Sequence, residues 1–371
     1  QILRKIQIMV QKFEKRVKSI SDKLRDQVIT LRKKDRILII TNPQYDVLKI
    51  SMGLFNSFIE KSSKIQLLVQ PEKSTMDFAE DYVIRAIEEK PDVIVSISSN
   101  RLGKDRFRIK NPITYKGKKY THIFDYLLFG KKVFRGFWSP GITLDMFLRS
   151  VDIDYVQLRK TCKKVKKMIE GADEIRVTTK RGTDITFSVR GRKAFIDDGD
   201  FRKPGQAGNI PTGEVFISPT IASANGRIVF DGSVSYSKGS LILKEPIVVE
   251  FKDGYVSRIK GGKEARIFAR EIKLGEIRAL KEIKDKRLAK EYAKNAKHLG
   301  EFGIGLNPKA KIIGNVLEDE KVMRTVHFAI GANYDQDAKA LIHYDGLVVN
   351  PTVEVDGRII MKNGILSSLS F

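Results

Sequence analysis

The sequence predicts an α/β N-terminal domain with a parallel sheet, followed by a β-rich (α+β) C-terminal domain. Short apolar runs alternate with helical patterns in the first half, which is typical of parallel strands joined by helices. Strand-and-turn patterns replace them after Gly171-Ala172. The chain has 371 residues, of which 42% are hydrophobic, enough to form two cores. We therefore expect domains at residues 1–172 and 173–371.

The chain opens with a pattern that predicts one long helix over residues 1–34. Apolar residues recur there at steps of three and four, which places them on one side of a helix. We expect this stripe to be buried. Its members are Ile6, Val10, Phe13, Val17, Ile20, Leu24, Val28 and Leu31.

The rest of the N-terminal half predicts further strands and helices. The segment after the first strand, Thr41-Asn42-Pro43-Gln44, has no Gly-rich fingerprint, and no GxxxxGK[ST] loop occurs, so we expect no dinucleotide or ATP site. A surface loop is expected over residues 101–119. Strands are expected at 36–41, 64–69, 92–97 and 132–138, and helices at 46–62, 76–89, 122–129 and 144–168.

The C-terminal half begins with a predicted hairpin, in which strands at 174–179 and 184–189 flank the turn Arg181-Gly182-Thr183. A helix over residues 280–297 interrupts the strands that follow. A second hairpin is expected at Asp356-Gly357, close to the end of the chain.

The formal net charge of +24 could favour nucleic acid, because lysine and arginine neutralise phosphates. These residues are, however, spread along the whole chain, and no nucleic-acid-binding motif accompanies them. Lysine-rich and isoleucine-rich composition is also a hyperthermophile signal. We expect solvated surface charge, and any binding of nucleic acid to be nonspecific.

The single cysteine, Cys162, excludes an intrachain disulfide and a cysteine-based zinc cage. No apolar run approaches eighteen residues, and the start of the chain is charged and amphipathic rather than like a signal peptide. We therefore expect a cytoplasmic protein with no membrane partner.

The C-terminal half also contains a candidate metal site. Two of the four histidines, His327 and His343, lie within seventeen residues of each other, and the second belongs to the tripeptide His343-Tyr344-Asp345. On a strand, residues i and i+2 point to the same face, so His343 and Asp345 can present an imidazole and a carboxylate to one point.

Four segments that include these residues resemble the thermophilic metallo-aminopeptidases, the family of aminopeptidases T and S and PepS-like enzymes. The resemblance covers most of residues 173–371, and the order and approximate spacing of the segments match that family. The segments are Gly208 to Phe216, Gly300 to Pro308, Asp319 to Gly331, and His343-Tyr344-Asp345.

This resemblance implies a dinuclear metallo-aminopeptidase that hydrolyses N-terminal residues from short peptides with a free N-terminus. It further implies a homodimer and two divalent metal ions, zinc, cobalt or manganese, in a shared cluster. The family's metal ligands fall on Glu214, Glu301, His327, Tyr334, His343 and Asp345.

Elementary chemistry supports these positions. Two nearby cations need several anionic ligands, which Glu214, Glu301 and Asp345 supply, and imidazoles suit zinc, cobalt or manganese. A water that bridges both ions would be the nucleophile, and Glu301 or Glu320 would be its general base. Tyr334 would stabilise the oxyanion or ligate a metal. For Glu320, a solvated surface position is an equally good interpretation.

Two alternatives stay open. A relative of this fold, resembling the hydroxypyridine ring-cleaving enzymes, is a mononuclear non-haem iron dioxygenase with two histidines and one aspartate around Fe(II). The presence of both Glu214 and Glu301 favours a site with two metal ions over this mononuclear iron site. The second alternative is a non-catalytic basic binding protein with a vestigial metal site, which the net charge favours and the complete ligand set opposes.

Overall fold

The computed structural model describes residues 2–367, and only the backbone of residues 2–6 and 8. The chain divides into two compact units. Among the described residues, 2–159 and 197–212 form the N-terminal unit, and 160–196 and 213–367 form the C-terminal unit. The domain boundary expected at residue 172 stays a prediction, because compactness alone does not show which segments fold independently.

Strands outnumber helices in the described chain, and they run from the N-terminal unit to the closing hairpin. The strands are β1 Ile37–Thr41, β2 Ile65–Val69, β3 Val93–Ser98, β4 Ile113–Tyr115, β5 Lys118–Tyr120, β6 Arg135–Pro140, β7 Glu174–Thr178, β8 Asp184–Ser188, β9 Phe195–Asp197, β10 Ala207–Asn209, β11 Glu214–Ile217, β12 Asn225–Phe230, β13 Ser233–Tyr236, β14 Gly239–Ile242, β15 Ile247–Lys252, β16 Tyr255–Lys260, β17 Leu299–Gly305, β18 Thr325–Gly331, β19 His343–Val349, β20 Thr352–Val355, β21 Arg358–Lys362 and β22 Ile365–Leu366. The helices are α1 Ile2–Lys23, α2 Tyr45–Phe58, α3 Asp81–Glu88, α4 Arg106–Lys110, α5 Ile123–Asp125, α6 Leu144–Arg149, α7 Tyr155–Ile169, α8 Lys263–Glu282, α9 Lys286–Asn295 and α10 Val316–Asp319, with π-helical segments at Leu24–Ile29 and Tyr126–Gly130.

The N-terminal unit contains a five-stranded parallel sheet in the order β10-β6-β3-β1-β2. All residues of β1 and β3 are buried, which explains why these strands are continuous apolar runs rather than alternating patterns. The predicted α/β architecture with a parallel sheet is therefore confirmed.

The first helix differs from its prediction in length and burial. Regular α-helix ends at Lys23, a π-helical segment follows, and Thr30 closes it in the left-handed conformation. The apolar stripe is buried from Val17 onward, whereas Val10 is 53% exposed because the start of the helix extends beyond the underlying core. The side chain of Ile6 lies outside the described residues.

Other local predictions are corrected, because short polar segments end or separate the helices and strands at positions that differ from those expected. The loop expected over residues 101–119 contains α4 and the β4–β5 hairpin. The helix expected over 144–168 is split into α6 and α7. The helix expected over 280–297 is α9 together with the end of the longer α8, and Asp285 caps the start of α9 by accepting a hydrogen bond from the Leu288 N–H.

The C-terminal unit is built on two sheets. One has the order β14-β13-β19-β18-β17-β11-β9, and the other the order β16-β15-β12-β8-β7-β20-β21-β22. The two sheets pack through Phe187 of β8, whose ring centroid lies 5.4 Å from that of Phe302 and 6.1 Å from that of Phe328. The β-rich C-terminal region is thus confirmed. None of the described helices combines the length and the apolar character that crossing a membrane requires.

Candidate active site

Four neighbouring strands of the seven-stranded sheet, in the order β19-β18-β17-β11, carry five of the six predicted metal ligands. Glu214 is the first residue of β11, and Glu301 lies on β17. His327 lies on β18, whereas His343 and Asp345 lie on β19. Sequence-distant residues therefore meet because their strands are adjacent in the sheet.

The register of these strands puts the five side chains on one face. His327 pairs with Gly303, and Asp345 and Glu301 both lie level with Ala329. Because strand side chains alternate between faces, Phe302 and Phe328 point to the opposite face, into the core between the sheets. The strands β17, β18 and β19 thus contribute odd-numbered residues to the site, and β11 contributes the even-numbered Glu214, which pairs with Gly305 of β17.

Gly303 makes room for the His327 imidazole. A Cβ atom at this position would lie 2.0 Å from Nε2 of His327 and 2.1 Å from its Cε1. Any side chain there would displace the ring from the face that carries the carboxylates. Gly303 is therefore part of the site without contributing a functional group.

Glu301 is the carboxylate shared by both imidazoles. Its Oε2 lies 2.9 Å from Nε2 of His343, and its Oε1 lies 3.4 Å from Nε2 of His327. Asp345 approaches the same imidazole of His343 at 3.4 Å, and Glu214 approaches His327 at 3.5 Å. One ligand atom each from Glu301, His327 and Asp345 lie within 4.8 Å of one another, as do those from a second group, Glu214, Glu320 and His327.

Lys321 is a residue of the site that sequence analysis did not identify. Its side chain is fully buried, and its Nζ lies 2.5 Å from Oε1 of Glu214 and 2.5 Å from Oε1 of Glu320. A buried lysine is rare unless it is paired. The Lys321 ammonium therefore neutralises part of the negative charge of the second group, because it contacts both of that group's carboxylates, Glu214 and Glu320. The signal in the sequence was its place directly after Glu320, within a segment already compared with metalloenzymes.

Tyr334, the sixth predicted ligand, lies in the segment after β18 and is 50% exposed. Its ring centroid lies 4.7 Å from that of Phe216 and 5.6 Å from that of the His343 imidazole. Phe195 stacks on Phe216 at 5.3 Å with an angle of 15° between the rings. Tyr334 thus belongs to an aromatic wall, Phe195, Phe216 and Tyr334, that begins beside His343.

Backbone and hydroxyl contacts orient the strand β19 ligands. Nδ1 of His343 lies 2.8 Å from the carbonyl oxygen of Ala332, so Nδ1–H donates there and Nε2 faces Glu301 and Asp345. The backbone N–H of Asp345 donates to Oγ of Ser235 at 2.8 Å. The first bond fixes the tautomer of the His343 imidazole, and the second anchors the backbone of Asp345.

The charges in this site shift several pKa values. Burial alone would raise the pKa of Glu301, but hydrogen bonds from the two imidazoles lower it to about 2. Burial opposes protonation of His327, yet the hydrogen bond to Glu301 and the Glu214 charge raise its pKa to about 9. Burial raises the pKa of Glu320 to about 8, and the charge of Glu301 raises the pKa of the Tyr334 hydroxyl well above its usual value. The site therefore holds a surplus of carboxylates that attracts positive charge.

The chemistry of the donor set fits a divalent metal ion. Two buried carboxylate oxygens, Oε2 of Glu214 and Oδ1 of Asp345, have no hydrogen-bond partner among the described residues. Each faces an imidazole nitrogen, and a bound cation would satisfy both kinds of atom at once. Binding would displace the imidazole protons, since metal ligation requires neutral histidine.

Two solved structures share the fold over nearly the whole chain. 2,5-Dihydroxypyridine dioxygenase from Pseudomonas putida KT2440 is 15% identical with a TM-score of 0.70, and the match covers 95% of this chain and 97% of that one. Wild-type AmpT from Thermus thermophilus is 12% identical with a TM-score of 0.65, and the match covers 95% and 99%. At these identities the likeness shows the fold alone. No curated protein matches the sequence.

One family model matches the sequence, and it favours one of the enzyme classes that the sequence left open. The model that matches, over residues 153–368, is NicX, described as 2,5-dihydroxypyridine 5,6-dioxygenase. The prediction of a peptide-hydrolysing metallo-aminopeptidase is therefore wrong. It failed because the segments that carried the resemblance build the sheet of a fold that a dioxygenase and AmpT share, and a shared fold does not by itself specify the reaction. Since the match covers more than half of the 371 residues, this chain belongs to the NicX family.

Proposed function

We propose that this protein is a metal-dependent dioxygenase that opens the ring of a small hydroxylated aromatic substrate, a hydroxypyridine or a close analogue. The observation that carries the proposal is the convergence of His327, His343, Asp345 and Glu301 at one point of the sheet. Two histidines and a carboxylate with open positions are typical of non-haem Fe(II) oxygenases. Glu301 would be an additional carboxylate ligand.

We propose that the site holds one metal ion per chain rather than two. Lys321 already places a positive charge between Glu214 and Glu320, the two carboxylates that a second ion would need. A second divalent cation there would be repelled by the buried ammonium. The expectation of two ions therefore gives way to one Fe(II), held by the group around Glu301.

The aromatic wall supports a planar substrate. Tyr334 lies beside His343 and is half exposed, and Phe216 packs against Tyr334, so a ring that approaches the metal ligands can pack against this wall. A bound Fe(II) would supply the one-electron chemistry through which dioxygen reacts with an aromatic ring. The wall would orient the ring and exclude water from its face.

Glu320 and Tyr334 are the proposed groups for proton transfer and substrate orientation. Glu320 is partly exposed and paired with Lys321, so it can accept a proton from a ring hydroxyl while the ammonium balances its charge. The Tyr334 hydroxyl can donate a hydrogen bond to the ring substituent. Both oxygen atoms of one O₂ enter the product, so the overall reaction needs no external reductant.

The test measures iron binding and oxygen consumption in parallel. Anaerobically loaded protein should bind one Fe(II) per chain, and 2,5-dihydroxypyridine should then consume one O₂ per ring opened. Asp345→Ala and His343→Ala should lose both properties. Asp285→Asn is the matched control, because asparagine also caps α9 and this position lies outside the site.

Glu320→Gln separates chemistry from binding: iron stoichiometry should persist while turnover falls by roughly a hundredfold, the usual contribution of a general base. Failure of the iron-loaded protein to consume O₂ with any of a panel of hydroxylated pyridines and benzenes would refute the proposed reaction. Two tightly bound ions per chain would refute the role given to Lys321.

A further inference from the structure

A cavity of about 380 Å³ lies within the N-terminal unit, at the carboxyl ends of β3 and β6. Open α/β sheets bind ligands at this edge, beside the point where the strand order reverses. Here the chain passes from β1 to β2 on one side and then to β3 on the other, so the reversal lies between β1 and β3, and the cavity lies next to it, over β3 and β6. The cavity is also in the size range of small-molecule sites.

The floor of the cavity is built by one face of two paired strands. Ser96 lies level with Trp138, and Ser98 lies level with Pro140. The serines are 4% and 5% exposed, and both line the cavity. Their hydroxyl groups can donate hydrogen bonds to a polar atom of a ligand there.

The walls are aromatic. Phe124 packs edge-on against Trp138 with ring centroids 5.9 Å apart, and Phe129 is 50% exposed at the margin. His122 uses both ring nitrogens for structure, since Nδ1 accepts from the Phe124 N–H and Nε2 lies 3.2 Å from the carbonyl oxygen of Gly103. A flat apolar ligand would complete these ring contacts.

Two cations line the same cavity, on the loop after β3. Arg101 and Lys104 form no ion pair with any described carboxylate. Asp125, which also lines the cavity, brings the formal charge of this lining to plus one. A net charge of plus one beside an apolar interior suits a ligand with one negative charge, whereas it would leave most of the charge of a polyphosphate unneutralised.

We propose that this cavity binds a small aromatic monocarboxylate, with its ring between Phe124, Trp138 and Phe129 and its carboxylate between Arg101 and the Ser96 and Ser98 hydroxyls. The site is independent of the reaction proposed above, because all its residues belong to the N-terminal unit and none is a candidate metal ligand.

The test uses Trp138 as a built-in reporter, since it is the single tryptophan of the chain. Titration of the full-length protein with benzoate should change its fluorescence saturably, whereas acetate and benzyl alcohol, which lack the ring or the charge, should bind roughly tenfold more weakly or not at all. Arg101→Gln should weaken benzoate binding by a similar factor and leave benzyl alcohol unchanged.

Arg32→Gln is the matched control, because Arg32 is exposed and lies outside the cavity lining. Ser98→Leu should abolish benzoate binding by filling the floor. A fluorescence change that does not saturate, or one that responds to Asp345→Ala but not to Arg101→Gln, would overturn the proposal. Thermal melting of each variant identifies any loss that comes from unfolding.

Discussion

At the scale of single residues, the site depends as much on small side chains as on its ligands. The imidazole of His327 occupies the space that a Cβ atom at Gly303 would need. Lys321 supplies a buried positive charge between two carboxylates. Neither role follows from residue type alone, because each depends on which side chain lies opposite in the folded chain.

Gly303→Ala should destabilise the metal-free protein by about 2 kcal/mol, the usual cost of overpacking a filled site, and should weaken metal binding. In a His327→Ala background the same substitution should cost less than about 0.5 kcal/mol, since the clashing ring is gone. Urea denaturation of the four proteins measures the difference. Equal costs in both backgrounds would show that the clash lies elsewhere.

His298 should make stability depend on pH. It is fully buried, and burial lowers its pKa to about 4, below the value of about 6.5 in an unfolded chain. The unfolded state therefore binds the proton first, and stability that is complete above about pH 6.5 is lost as the pH falls toward 4. Over this window the loss approaches about 3 kcal/mol.

The reference for this effect is His298→Phe, which keeps a ring in contact with Tyr255 and cannot be protonated. Denaturant titrations at several pH values should show the native protein losing more stability than the variant across this window. Parallel curves for the two proteins would contradict the assignment to His298.

At the scale of elements, burial differs along a single helix. The apolar stripe of α1 is regular in sequence, yet Val17 is 1% exposed and Val10 is 53% exposed. Periodicity gives the face of a helix that is apolar, whereas the reach of the neighbouring core decides how much of that face is covered. Ion pairs such as Lys18 with Asp22 lie on the same helix, partly exposed to water, and add little stability.

This difference predicts unequal effects of one substitution. Val17→Ala should destabilise the protein by about 2 kcal/mol, because it leaves a cavity against α2 near Gly53. Val10→Ala is its matched control and should change stability by less than about 0.5 kcal/mol. Chemical denaturation measures both, and similar losses for the two variants would mean that α1 packs differently in solution.

At the scale of the whole molecule, the net charge of +24 has consequences for association rather than for the fold. We expect weak binding to any DNA duplex at low ionic strength, with affinity that falls steeply between about 50 and 200 mM salt. Two duplexes of unrelated sequence should bind equally in a fluorescence anisotropy assay. A strong preference for one of them would indicate a specific nucleic-acid site. The homodimer also stays a prediction, which light scattering would test.

The sequence alone determined the α/β order of the first half, the β-rich second half and the residue types of the metal site, because strand periodicity and ligand chemistry are local properties. The tertiary structure decided which positively charged or imidazole group each carboxylate contacts. Glu214 contacts Lys321, whereas Glu301 contacts the imidazoles of His327 and His343. The tertiary structure also placed Tyr334 between Phe216 and His343 and formed the cavity that Trp138 lines. Such pairings arise only when distant strands become neighbours, so no window of sequence contains them.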